Sequence, residues 1–242
     1  MRNSTKQKGI IRMKKIIILD VEGMSTCKPY NIGYIIADKK GNIYKKRNFA
    51  ILSCIFENLK NCLTAKEMTH KNIQEILQDT ERQNPKYQIR TVKQVKEILL
   101  KDIENNNISE VWAYNCSFDK AALKRLFEAD FSKLKVKFYD IIPAILYSKL
   151  LTKKYINFCQ KNGYITEKGN IQTKAEIVYR YLTGKNDFAE EHTGLADVLI
   201  EYEILLFAIN SKKKVKYKNC QAWQILKKFC QEKNLDTLKE AI

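Results

Sequence analysis

The chain has 242 residues, 45% of them apolar and 29% charged, enough to build a full core as one large domain or one domain with an insertion. No stretch approaches the roughly 18 apolar residues that a bilayer span needs, and the basic start MRNSTKQKGIIRMKK lacks the apolar run of a secretory signal. The formal charge is +17, with +6 in residues 1–15, +6 in 211–242 and +5 between them.

Basic ends on a chain read as cytoplasmic favour a polyanion partner, because neutralised phosphates release condensed counterions. A Lys-, Ile- and Asn-rich composition also arises without function, so charge alone points only weakly to nucleic acid. Seven cysteines, at 27, 54, 62, 116, 159, 220 and 230, form no CxxC pair. That excludes zinc-finger spacing and fits reduced intracellular thiols, with Cys116 read as a packing residue at a strand end.

In chain order, Ile16–Asp20 is a nearly continuous apolar run, as a buried central strand requires. Asn31–Ala37, a turn at 38–42 and Ile43–Ile51 read as a hairpin beside it. Ala65–Gln78 and Val92–Ile103 have helical spacing, joined by the polar, Pro-containing stretch 79–88. His70 lies there among polar neighbours and is expected to face solvent. Val111–Tyr114 is a fourth strand and Phe118–Phe127 a helix, with Asn115 or Ser117 as its expected N-cap. Val136–Ile142 is a fifth strand, followed by a helix to about Leu151. Tyr155–Asn162, Thr173–Thr183 and Gly194–Ile209 are further helices, and Ala222–Leu238 forms one within the basic tail. The expectation is an α/β fold: a mixed five-stranded sheet flanked by helices over 14–210, with a basic leader (1–13) and a basic C-terminal extension (211–242).

Four carboxylates and a histidine sit beside apolar runs, where acids are costly to bury without a compensating positive charge. Asp20 and Glu22 are two apart at a strand end, so both project from one face. Such a pair also occurs as two merely exposed acids. Asp119 falls in the first turn of a helix, where the dipole favours a carboxylate. His192 is placed in a loop and Asp197 one turn inside the following helix. Hard oxygen donors plus one imidazole point to divalent metal ions and a proton-transfer step.

Asp20-Val21-Glu22, the run Asn115-Cys116-Ser117-Phe118-Asp119 and the run from His192 to Asp197 resemble, in order and interval, the three motifs of the DnaQ-like DEDDh exonuclease superfamily. Tyr181–Gly184 and Asp140 add to the likeness, which covers roughly residues 14–209. The resemblance implies an RNase H-like fold and 3′→5′ hydrolysis of nucleic-acid ends. It implies that Asp20, Glu22, Asp119 and Asp197 hold two Mg²⁺ or Mn²⁺ ions, with His192 as general base. Substrate contacts would fall on Gly23, Met24, Asn115 and Phe118, and single-stranded 3′ ends of DNA or RNA would be the partner. Where the family commonly carries threonines after the second acid, this chain has Gly23-Met24-Ser25, so the grip on the terminal nucleotide differs.

Tyr217 and Trp223 in the basic tail are candidates for stacking bases or for docking the tail onto the domain. Two other readings stay open at this point: an RNase H-like endonuclease, and a nucleic-acid-binding protein without catalysis. Nothing in the sequence names a protein partner.

Overall fold

The computed structural model describes residues 14–23, 29–55, 67–79, 82, 85–128, 135–211, 213, 215–216 and 220–235. Strands β1 (Lys15–Gly23), β2 (Pro29–Asp38) and β3 (Ile43–Ile51) form an antiparallel meander. The β2–β3 turn is fastened by the Asp38 carboxylate, which accepts the Lys40 and Asn42 amides at 2.8 and 3.2 Å. It also needs Gly41, whose φ of 102° suits a residue without Cβ.

Three shorter strands run parallel to their neighbours. They are β4 (Gln88–Arg90) beside β3, β5 (Glu110–Ala113) beside β1, and β6 (Lys137–Asp140) beside β5. The sheet order is β4-β3-β2-β1-β5-β6. It is the mixed, helix-flanked α/β architecture expected and is compatible with an RNase H-like fold, with six strands where the sequence indicated five. The additional strand, β4, is three residues long and follows a polar stretch, too short for any alternation to register.

The helices are α1 (Glu67–Asp79), α2 (Val92–Asn105), α3 (Ser117–Phe127), α4 (Ile141–Ile145), α5 (Lys153–Lys161), α6 (Ala175–Thr183), α7 (Gly194–Ile209) and α8 (Ala222–Glu232). After α4 the chain widens into a π-helical turn, Leu146–Leu150, so the single helix expected to Leu151 is in two parts. The basis is local: the Leu151 amide reaches back five residues to Leu146.

β1 is covered on both sides, which is why it reads as one apolar run. Ile17, Leu19 and Val21 pack with Ile73 of α1, Leu99 of α2 and Leu123 of α3. Ile16 and Ile18 pack with Ile145, Ile156, Val198 and Leu205 on the other face. Leu226 and Cys230 of α8 join that second cluster, so the tail helix docks through them, while Trp223 is left 46% exposed. Tyr217, Met24, Cys27 and Cys62 lie outside the described residues, and so does the His70 side chain. Among the described residues no helix is long and apolar enough to cross a membrane.

Candidate metal centre

The alternation of β1 decides where its acids go. Asp20 and Glu22 continue the Ile16–Ile18 face and therefore look toward α7. Opposite them on β2 stand Gly33 and Asn31, in register with Asp20 and Glu22 respectively. Gly33 has no side chain to hold α7 away. A Cβ there would collide with the Gly194 backbone, and one on Gly194 would meet the Gly33 nitrogen at 2.6 Å. The buried Asn31 Oδ1 accepts the Gly194 amide at 2.7 Å, while its Nδ2 donates to Asn48 Oδ1 and the Phe49 carbonyl, each at 2.8 Å. Two glycines and one asparagine thus seat the first turn of α7 on the sheet.

That seating delivers Asp197. Its carboxylate lies with those of Asp20 and Glu22 so that one oxygen from each falls within 4.8 Å of the others. Two oxygens, Asp20 Oδ2 and Asp197 Oδ1, are shut off from solvent and have no hydrogen-bond partner among the described residues. Burial pushes the Asp20 carboxyl well above its usual range, and the charges of Asp119, Glu22 and Asp197 add to that. Burial, helped by Glu190 and Glu22, raises Asp197 to about 9. Burial raises the Glu22 carboxyl as well, opposed by a hydrogen bond with Asp197 that in turn raises Asp197.

Asp119 reaches the group from the other side of the sheet. β5 pairs with β1 only at Ile17 and Ile18 and then turns away, and the Val21 amide donates to Asp119 Oδ1 at 3.0 Å instead. Burial raises this carboxyl to about 8, with the Val21 amide opposing. The first turn of α3 has Cys116 in the cap position with no side-chain hydrogen bond, so neither Asn115 nor Ser117 caps it as expected. The reason is the backbone. Asn115 is left-handed at φ 61° and its amide donates to Asp140 Oδ1 at 3.2 Å, while Ser117 is already the first helical residue. Asp140 also caps α4 through the Ile142 amide at 2.8 Å, a structural role. Cys116 is buried, and burial pushes its thiol up to about 12, which agrees with packing and not nucleophilic chemistry.

His192 stands in the loop before α7 at φ 53°, and its side chain is 38% exposed. Nδ1 lies 3.8 Å from Glu190 Oε2, and the ring is near enough to Glu22 to oppose, without reversing, the upward push of burial on that carboxyl. Glu190 is raised by burial to about 7 and accepts a backbone amide at the start of α6, from Glu176. Of the expected substrate contacts, Gly23 closes β1 at a register irregularity, Asn115 is exposed and Phe118 half-buried; Met24 lies outside the described residues.

Two acids of this site are not singled out by the sequence. Glu201 is buried one turn beyond Asp197 and accepts the Tyr114 amide at 3.3 Å, the first amide past β5. Burial, then Asp20, Asp119 and Asp197, hold its carboxyl well above the ordinary range. The available signal was an acid four residues after Asp197, on the same face of a largely apolar helix. Glu190 could be found only by its nearness to His192.

The donor set fits a hard divalent cation. Among the described residues the close donors are all carboxylate oxygens, two of them unsatisfied, and the acids crowd into a volume where they cannot all be ionised alone. The sequence matches no family model and no curated protein.

Proposed function

We propose that the chain is a metal-dependent 3′→5′ exonuclease, acting in the cytoplasm on single-stranded ends of DNA or RNA. The observation that carries this reading is the Asp20–Glu22–Asp197 cluster, with two buried oxygens that no group among the described residues satisfies. The order and interval of the three motifs, similar to those of the DnaQ-like DEDDh superfamily, support attack at an end.

Asp20, Glu22, Asp119 and Asp197 would hold two Mg²⁺ or Mn²⁺ ions. Ions held there supply Lewis-acid stabilisation of the phosphoryl oxygens and a water of lowered pKa. The chain's own groups do the rest. Asn31 and the Gly33–Gly194 contact hold Asp197 opposite Asp20, and Asp119 is aimed by the Val21 amide. His192, on a loop at the rim, accepts the proton of the attacking water, with Glu190 beside Nδ1 to orient the ring. Exposed Asn115 and half-buried Phe118 flank the path by which a strand would arrive.

The test uses 5′-labelled single-stranded DNA and RNA oligonucleotides with Mg²⁺, Mn²⁺ or chelator, beside a circular single strand. Stepwise shortening from the 3′ end, only with metal and only on linear strands, is expected. Cleavage of the circle identifies an endonuclease, and binding without any product identifies a binding protein.

A further inference from the structure

Helix α3 has two working faces. One turns Asp119 inward to the carboxylate cluster. The other, with Ser117, Lys120, Ala121 and Lys124 at helical spacing, forms one wall of a cavity of about 350 Å³, closed by Cys116 and by Phe138 of β6. Among the described residues β6 is the outermost strand of the sheet, so the groove lies at its edge.

Its lining has the chemistry of a polyanion site. Lys120 and Lys124 are exposed and, among the described residues, neither is paired with a carboxylate. They stand one turn apart, about 6 Å along the axis, as two like charges that an anion between them would relieve. Lys120 Nζ lies over the half-buried Phe138 ring, 5.9 Å from its centre, so charge and aromatic ring meet in the groove. A charged track with an aromatic platform is how single strands are gripped without reading their sequence. Asp119 and Lys120 are consecutive, about 100° apart around the helix, so a strand leaving the cluster over Asn115 and Ser117 meets this groove first.

We propose that the α3–β6 groove is a binding site for the strand upstream of the terminal nucleotide, with Lys120 and Lys124 on its phosphates and Phe138 stacked on a base. This assignment rests on the nuclease reading for its substrate but not for its test. The groove lets the chain hold a strand at two places and sets a minimum length for tight binding.

The experiment is fluorescence anisotropy of a labelled twelve-nucleotide single strand and of a labelled dinucleotide, in Ca²⁺ across a salt series. Lys120→Ala/Lys124→Ala should weaken the longer probe about ten-fold and make its log–log salt slope shallower by roughly 1.4, two contacts at about 0.7 each. The dinucleotide should bind much as before. Lys120→Arg/Lys124→Arg should restore the slope, and Phe138→Ala should weaken binding with the slope unchanged. Thermal melting checks that each variant is folded. A double-alanine variant with wild-type affinity and slope overturns the assignment, as does a wild-type chain that binds neither probe. A chain that binds through these lysines yet hydrolyses nothing sinks the exonuclease reading and leaves the groove standing.

Discussion

The amide of Gly194 donates to the buried Oδ1 of Asn31, 163 residues earlier, at 2.7 Å. This one bond joins the strand pair carrying Asp20 and Glu22 to the helix carrying Asp197. Both nitrogen-bound protons of the Asn31 amide are also used, so the asparagine cannot turn away. The carboxylate cluster is thus held together by a hydrogen bond from backbone to side chain that involves none of its acids.

Asn31→Ala should lower stability by about 1–3 kcal/mol, because Gly194, Asn48 and Phe49 lose buried hydrogen bonds. It should also weaken Mn²⁺ binding, measured as the metal-induced rise in Tm. An unchanged rise, alongside a lower starting Tm, would make Asn31 purely structural.

Without metal, stability should fall as pH rises from about 4 to about 9. Unfolded carboxyls lose their protons near pH 4; in the folded chain Asp119 keeps its proton to about 8 and Asp197 to about 9. The native state therefore binds more protons across that window, and ionising them opposes folding. Melting in chelator should show Tm declining over this range, and Mg²⁺ or Mn²⁺ should restore most at the alkaline end, where metal replaces protons. A chelated Tm that climbs between pH 5 and 9 would refute this electrostatic picture.

His192→Ala should lose about two to four orders of magnitude in kcat, the usual scale for a general base. The side chain is half-exposed on a loop, and melting verifies that the variant is folded. Glu190→Gln should give a smaller loss with an altered pH–rate profile. If His192→Ala matched wild type across neutral pH, proton transfer would belong to another group.

Glu201→Gln keeps an acceptor for the Tyr114 amide and removes one acid from the crowd around Asp20. The variant should be at least as stable as wild type in chelator at pH 8. Glu201→Ala, which leaves that amide without its acceptor, should be less stable than either. Equal melting of the alanine and glutamine variants would remove Glu201 from any part in holding the end of β5.

Much of the site was legible because strand and helix periodicity alone direct its residues. Asp20 and Glu22 share a face through the two-residue period of β1, and α7 begins at Gly194 as the loop histidine and helical aspartate required. What could not be read depends on distant backbone. The Asn115 turn is shaped by Asp140, so no capping preference of Asn115 or Ser117 operates. Asn31 looks like any strand polar residue until Gly194 arrives. Glu201 hides in an apolar helix whose partner amide, Tyr114, is 87 residues away.

The Asp20–Glu22–Asp197 cluster is expected to bind divalent cations, which Mn²⁺ titration followed by electron paramagnetic resonance reads out. Wild-type chain should bind Mn²⁺ at pH 8. Folded Asp20→Asn and Asp197→Asn variants, isosteric but uncharged, should leave the ion free at the same concentrations. Mn²⁺ binding by either variant as tight as that of wild type, or none by wild type, would mean that these carboxylates hold no metal.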